Sequence, residues 1–138
     1  MNLLFMKKKN KLVHSIFIII SCCLYACEPG HYGTTFVTNN TIYPLTVTFS
    51  TNRMDTVIPI NAYETKQIYA FGGLGSGMDY DCCTCEFFTL LVTPDDPSLT
   101  ILKSISDDNN WELFNPNERK FSSKEIQCTF TLNVEDIQ

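Results

Sequence analysis

The residues most capable of chemistry in this sequence are its cysteines. Of the seven, Cys82, Cys83 and Cys85 lie within four positions of one another, Cys128 stands alone, and the other three lie in the first 27 residues. A redox Cys-x-x-Cys motif relies on a helix N-terminus to lower the pKa of its first thiol, but a strand-like run, EFFTLLV, follows Cys85. Adjacent cysteines also fit one tetrahedral zinc site poorly. We therefore predict structural disulfides and no metal.

Groups that could serve catalysis or hold a cofactor are few elsewhere. Beyond the first 27 residues the sequence has one histidine, His31, and it precedes the first predicted strand. The commonest general base is therefore missing from the predicted domain. The glycine-rich stretch GGLGSG (72–77) has no predicted helix after it to offer phosphate-binding amides. The acidic stretches 95–96 and 107–110 lack the ligand spacing of an EF-hand. We therefore predict no catalytic residues, no enzymatic activity and no cofactor.

Trp111 is the single tryptophan of the chain, and two roles are open to it. An exposed tryptophan, together with some of the six tyrosines, could form a patch that stacks on sugars or binds a protein. A buried tryptophan would instead cap the hydrophobic core. The second role is the one that we predict.

The N-terminal segment has the features of an export signal. Four lysines within positions 7–11 precede an apolar run, 12–26, that is shorter than the roughly 20 residues of a membrane-spanning helix. The run ends in Leu24-Tyr25-Ala26-Cys27, which resembles the lipobox of bacterial lipoproteins. That resemblance implies cleavage before Cys27 and attachment of acyl chains to this residue. Cys22 is a second candidate for the modification, and an ordinary cleaved secretory signal or a retained membrane helix is an alternative.

Lipidation at Cys27 determines the fate of all three N-terminal cysteines. Cys22 and Cys23 leave with the signal peptide, residues 1–26, and Cys27 loses its thiol to lipid. Residues 27–33 then form a short tether to the membrane. Two or three acyl chains hold a protein stably on a membrane, whereas one chain is marginal. The resemblance to bacterial lipoproteins implies a lipid-anchored location in the cell envelope, and we predict the outer membrane.

Four cysteines remain in the predicted mature chain, and an even number in an exported protein favours disulfides because the compartment is oxidising. Cys128 alternates in phase with the apolar residue Phe130, which places it on the buried face of a strand. A disulfide partner must lie within about 7 Å between Cα atoms, and the cluster 82–85 holds the candidates. We predict a bridge from Cys128 to Cys85 or Cys83, with the other two cluster cysteines in a local bridge or free.

The composition of the predicted mature chain disfavours nucleic acid as a partner. Cleavage before Cys27 leaves 112 of the 138 residues, enough for one domain. All 15 acidic residues but only six of the ten basic ones lie in this part, so its formal charge is −9. Nucleic acids and anionic headgroups attract clustered lysine and arginine. We therefore expect the domain to meet the membrane through its lipid anchor.

The period of the hydrophobic pattern in residues 34–138 is two, which is typical of half-buried strands. No stretch has the period of a helix. The pattern predicts an antiparallel, Ig-like β-sandwich of seven or eight strands. The predicted strands are 34–38, 44–51, 55–60, 65–71, 85–93, 99–106, 110–114 and 126–134. The side chains expected in the core are Leu45, Val47, Phe49, Phe88, Leu90, Val92, Phe130, Leu132 and Val134.

Several stretches of the sequence resemble a type of small lipoprotein from Gram-negative bacteria. They are the lipobox, TFVTNNTIYPLTVTF (35–49), FGGLGSG (71–77), the pair NW (110–111) and CTFTLNVEDI (128–137). The resemblance covers most of the predicted mature domain. It implies a β-sandwich at the cell envelope and brings no catalytic residues with it.

The predicted function is that of a membrane-anchored envelope lipoprotein with a non-catalytic structural or binding role. The alternative is an accessory module that binds a glycan or an envelope protein through the loops of its sandwich. Exposed aromatic residues grouped at one end of the sandwich would favour binding, whereas a buried cleft with paired carboxylates would favour an enzyme.

Overall fold

The computed structural model describes residues 30–74, 82–115 and 124–138, and these form a two-sheet β-structure. The predicted signal peptide, the lipidation site Cys27 and part of the glycine-rich stretch lie outside the described residues. The strands are β1 (Gly30–Asn39), β2 (Leu45–Ser50), β3 (Asp55–Ile60), β4 (Thr65–Leu74), β5 (Thr89–Pro94), β6 (Trp111–Phe114) and β7 (Lys124–Leu132). Two 3-10 helices span Asp108–Asn110 and Val134–Asp136. The all-β prediction is therefore confirmed.

The larger sheet is mixed rather than antiparallel. Its strand order is β4-β1-β7-β6, and the smaller sheet has the order β3-β2-β5. β1 runs parallel to β7, with Thr35 beside Cys128 and Val37 beside Phe130. The prediction of a purely antiparallel sandwich is wrong at this pair, and an Ig-like topology is not confirmed. A parallel pair joins strands through a long connection, and here it joins the first strand to the last, which local alternation does not encode.

The alternating pattern packs apolar residues between the two sheets. In β2, Leu45, Val47 and Phe49 are buried, whereas Thr48 points to solvent. Residues of both sheets share one buried cluster with them. Seven of the nine side chains expected in the core are buried: Leu45, Val47, Phe49, Leu90, Val92, Phe130 and Leu132.

Two residues expected in the core, Phe88 and Val134, are exposed. Phe88 precedes β5, and the alternation breaks there because Phe87 turns inward instead. The ring of Phe87 lies 5.3 Å from that of Phe49 and 5.4 Å from that of Tyr69. Val134 begins a 3-10 helix after β7 has ended, so the strand period no longer determines its direction.

The largest differences between the predicted strands and the structure are one missing strand and two shifted strand starts. The predicted strand 99–106 is not formed, and within this segment a single bridge joins Ile101 to Ile137. β5 begins at Thr89 rather than at residue 85. β1 begins at Gly30, so the last four residues of the predicted tether belong to this strand. Their pairing with β4 and β7 fixes them, and this pairing is not visible in the local sequence.

A bulge between β1 and β4 lets two consecutive residues of β4, one aliphatic and one aromatic, point into the core. The register shifts between Thr35 and Phe36, and Ile68 and Tyr69 are consequently both buried. Nearby, the ring of Phe71 occupies the space that a side chain on Gly33 would need. Glycine at position 33 therefore leaves room for this ring.

Candidate functional site

Two disulfides use all four cysteines of the described residues. Cys83 pairs with Cys128, with 5.6 Å between their Cα atoms, and Cys82 pairs with Cys85, with 5.7 Å between theirs. The sequence left open whether Cys128 would bond to Cys85 or Cys83, and the structure selects Cys83. Disulfides of this kind indicate an oxidising compartment.

The carboxylate of Asp108 fixes the turn that carries the cysteine cluster. Its Oδ1 atom accepts the backbone N–H groups of Cys83 and Thr84, at 2.6 and 3.1 Å. The neighbouring Asp107 caps the 3-10 helix by accepting the N–H of Asn109 at 3.0 Å. These two acidic residues therefore serve local structure here. We call the turn Cys82–Cys85 together with Asp108 the disulfide corner.

A buried asparagine joins three segments at one end of the sandwich. Asn39 is fully buried at the end of β1, and its side-chain amide donates to the backbone oxygens of Tyr43 and Asn61, at 2.8 and 2.9 Å. Its Oδ1 atom accepts the N–H and the hydroxyl of Thr41, at 3.0 and 2.7 Å. All four hydrogen-bonding positions of the amide are thus filled. The β1–β2 loop and the β3–β4 turn are held together by this one side chain.

Tyr63 lies in the β3–β4 turn and has an unusual backbone conformation. Its φ angle is 58°, in the left-handed region that bulky residues avoid at a cost of roughly 1–2 kcal/mol. Its N–H donates to the backbone oxygen of Thr41 at 3.2 Å, and Glu64 closes the turn by accepting from Asn61 at 2.7 Å. The side chain is nevertheless 69% exposed. The fold therefore presents a tyrosine where glycine or asparagine would be less strained.

Two further exposed apolar side chains belong to segments that are hydrogen-bonded together at this end of the sandwich. Ile42, in the β1–β2 loop, is 58% exposed, and Val134 is 59% exposed. The side-chain amide of Asn40 donates to Asn133 at 3.0 Å, which ties this loop to the chain after β7. We call these three exposed side chains, Ile42, Tyr63 and Val134, the loop end. Hydrogen bonds from Asn39 and Asn40 hold the segments that carry them, and apolar side chains held in place in this way often serve protein binding.

Sequence reasoning missed the Asn39 network because Asn39-Asn40 reads only as a turn signal. Asparagine is frequent in turns, and its side chain often bonds the backbone two residues on, as Asn39 does with Thr41. The long-range part, to Asn61, becomes visible only when β1 and the β3–β4 turn are placed together.

Aromatic side chains also follow the outer face of the larger sheet. Tyr32, Thr34 and Phe36 alternate with buried residues of β1, which places them on this face. The register sets Thr34 beside Gln127 and Gln127 beside Phe114. Tyr32 and Phe114 are exposed, and Phe36 is half-buried. We call these three aromatic residues the sheet patch.

Trp111 does not contribute to an exposed patch. Its ring is buried and lies 5.3 Å from the ring of Phe130. Its indole Nε1–H donates to the backbone oxygen of Ile105 at 2.7 Å. The prediction that Trp111 belongs to the hydrophobic core is confirmed.

A surface cavity of about 230 Å³ separates β5 from the segment 101–106. Aliphatic and hydroxyl side chains line it, along with Lys103. The ammonium of Lys103 donates to the backbone oxygen of Thr131 at 2.8 Å and lies 5.3 Å from the centre of the Phe130 ring. The cavity thus exists because 101–106 passes beside β5 without pairing with it.

Hydrogen bonds within its own turn hold the carboxylate of Asp96. The pKa of Asp96 lies below its ordinary value because the hydroxyl of Ser98, and then its backbone N–H, donate to this carboxylate at 2.7 and 2.9 Å.

Within 30–74, 82–115 and 124–138, no three His, Cys, Asp or Glu side chains are grouped to hold a metal ion. Over the same residues, no helix is long and apolar enough to cross a bilayer.

The chain was compared with protein-family models, with curated proteins and with solved structures, and none of them matches it. The geometry of its own surfaces is therefore the basis for assigning a function.

Proposed function

We propose that this protein is a lipid-anchored module of the cell envelope, at the outer membrane, that binds an envelope protein through its loop end and has no catalytic role. Two disulfides in a small β-domain agree with an exported chain. The lipobox-like stretch that ends at Cys27 supplies the anchor. The partner is recognised by apolar contact with Ile42, Tyr63 and Val134.

The position of the anchor determines which end of the domain lies near the membrane. Gly30, the first residue of β1, is only three positions after Cys27, and three residues reach at most about 10 Å. β1 has ten residues and extends about 30 Å to Asn39. The loop end is built on Asn39, so it is the end of the domain far from the lipid. A protein in the periplasm or at the cell surface can then reach it.

The exposed, left-handed Tyr63 carries the proposal. A strained backbone persists when the surrounding structure over-determines it, and such positions group at binding and switch sites. The hydrogen bond to Thr41 and the turn closed by Asn61 and Glu64 hold it. Aromatic anchors on a fixed base lose little conformational entropy on binding, which makes tyrosine effective at interfaces.

The experiment is affinity capture from detergent-solubilised envelope by the membrane-extracted protein. Tyr63→Ser is compared with Val57→Ser, which removes an equally exposed apolar side chain from β3 on the outer face of the smaller sheet. We expect a partner that the parent and Val57→Ser retain and that Tyr63→Ser loses. Equal capture by all three proteins would exclude the loop end as the binding surface.

A glycan is a second candidate ligand, favoured by the sheet patch. Tyr32, Phe36 and Phe114 surround Thr34 and Gln127, so aromatic faces stand next to hydroxyl and amide groups. Sugars bind through such stacking combined with hydrogen bonds. Retention of the protein on immobilised envelope polysaccharide tests this candidate. If a glycan binds at the sheet patch, Phe114→Ala should weaken the retention and Tyr63→Ser should leave it unchanged.

A further inference from the structure

The two disulfides of the protein differ in access to solvent. Cys83 and Cys128 are 6% and 2% exposed and lie in the core cluster. In the other bridge Cys85 is exposed and Cys82 is half-buried. A disulfide reacts with a thiolate only if one of its sulfur atoms can be reached. The buried bridge is therefore protected, whereas the bridge at the surface is open to attack at Cys85.

The hydroxyl of Thr84 is placed to stabilise Cys82 as the leaving thiolate when a thiolate attacks Cys85. The hydroxyl of Thr84 lies 3.7 Å from the sulfur of Cys82, within hydrogen-bonding distance for sulfur. Cys82 carries no S–H while it is disulfide-bonded, so the hydroxyl is the donor. A donor at this place stabilises a thiolate on Cys82, and a more stable leaving thiolate makes exchange faster.

The disulfide corner keeps its shape without the Cys82–Cys85 bond. Asp108 holds the N–H groups of Cys83 and Thr84, and the N–H of Phe87 donates to the backbone oxygen of Thr84 at 3.1 Å. The Cys83–Cys128 bridge ties the same turn to β7. Opening the surface bridge therefore leaves its two sulfur atoms near each other, and the bond can form again.

We propose that the Cys82–Cys85 disulfide is a thiol–disulfide exchange site that accepts thiolates from small thiols or from cysteines of other chains. The incoming thiolate forms a bond to the sulfur of Cys85 as the Cys82–Cys85 bond breaks. The electron pair of the broken bond goes to Cys82, which leaves as a thiolate. One disulfide is lost and one mixed disulfide is gained, so the step needs no oxidant. Attack by Cys82 on the mixed disulfide releases the ligand and restores the bridge.

This site differs from a redox Cys-x-x-Cys motif that begins a helix. A turn and then a strand follow Cys85, so the helix N-terminus on which such a motif relies is not present at this place. Exchange depends instead on an exposed electrophilic sulfur and a stabilised leaving group. The proposal is independent of the loop end and of the membrane anchor.

The test uses the exported protein and glutathione as the probe, with acid quenching and site assignment by mass spectrometry. We expect an adduct on Cys85 with a free thiol on Cys82, formed about ten-fold or more faster than any adduct on the buried pair. The Cys83–Cys128 peptide should stay linked throughout, which also reports that the domain is folded. A peptide with a single cysteine replaces glutathione in a second arm, and the faster of the two identifies the preferred source of thiolate.

Thr84 variants test the role of the hydroxyl. Thr84→Val should slow adduct formation about three-fold, since it removes the donor to the leaving thiolate, and Thr84→Ser should restore the parent rate. Two results would overturn the proposal. One is equal reaction at Cys83 or Cys128. The other is no adduct on Cys85 under conditions in which an unstructured peptide disulfide in the same tube reacts.

Discussion

The side chain of Asn39 accepts two hydrogen bonds from Thr41 on one oxygen atom, from the backbone N–H at 3.0 Å and from the hydroxyl at 2.7 Å. Both residues are fully buried, and the amide of the same asparagine binds the β3–β4 turn through Asn61. The position of Tyr63 therefore depends on a polar pair inside the protein.

Two buried threonines should respond in opposite ways to the same substitution. The hydroxyl of Thr41 donates to Asn39 and accepts the N–H of Tyr43 at 3.2 Å, so Thr41→Val should lower the free energy of unfolding by about 1–3 kcal/mol. The hydroxyl of Thr35 is buried and has no hydrogen-bond partner in the described part of the chain. Thr35→Val should raise the free energy of unfolding by about 1 kcal/mol. Urea denaturation measures the change in the free energy of unfolding for each variant. A change in the same direction for both variants would contradict the hydrogen bonding described for one of the two hydroxyls.

Tyr63→Gly should separate stability from binding. Glycine adopts the left-handed conformation without strain, so the free energy of unfolding should not fall and should rise by up to about 1 kcal/mol. Capture of the envelope partner should be lost. Val57→Gly is the matched control, because glycine within an exposed strand should cost about 1 kcal/mol and leave capture unchanged. A Tyr63→Gly protein that still captures the partner would contradict the proposed surface.

Phe130→Ala should strongly destabilise the domain. The ring is fully buried and packs against Trp111 at 5.3 Å, so its loss should cost roughly 3–5 kcal/mol. Leu113→Ala, in the neighbouring strand but 45% exposed, is the control and should cost far less. Thermal or urea denaturation measures both changes. An unchanged midpoint for Phe130→Ala would contradict the packing of β6 and β7.

The two disulfides should contribute unequally to stability. Cys83–Cys128 joins positions 45 apart, and in the chain-entropy model its removal by paired alanine substitutions should cost about 4 kcal/mol. Cys82–Cys85 closes a separation of three residues, so its removal should cost about 2 kcal/mol in the same model. Denaturation of the two double variants provides the comparison. A larger loss from the short bridge would mean that the disulfide corner is more important to the fold than the bridge to β7.

Cys27→Ala should release the protein from the membrane. The intact mass of the membrane-extracted parent should correspond to a chain that begins at Cys27 and carries acyl groups, because a lipobox-like stretch precedes it. Cys22→Ala is the matched control and should fractionate with membranes as the parent does. An alanine variant at Cys27 that stays in the membrane fraction would exclude lipidation at this residue.

Local alternation predicts the strands well where one face of the strand is more buried than the other along its whole length. β2 and β3 contain the residues expected from period two, and Cys128 lies inward in phase with Phe130 as the pattern required. Phe88 differs because Phe87 fills the space beside Phe49 and Tyr69. The sequence indicates that one of the two phenylalanines belongs to the core. It does not show which one, because the residue at which the strand begins is not evident from the pattern.

Features that depend on contacts between distant segments were not predictable from one sequence. The parallel pairing of β1 with β7 and the network around Asn39 each join residues far apart in the chain. The segment 99–106 has a strand-like composition, yet beyond the bridge at Ile101 its residues form no strand pairing. The choice of Cys83 over Cys85 likewise depends on the conformation of the disulfide corner, whose turn donates hydrogen bonds to Asp108 in a distant segment.

Site-specific photo-cross-linking in intact cells tests the loop end most directly. A photoreactive residue is placed at position 63, and separately at Val57, which is equally exposed on the outer face of the smaller sheet. The proposed function predicts a discrete cross-linked envelope protein from position 63 and none from position 57. Cross-linking of the same protein from both positions, or from position 57 alone, would contradict it.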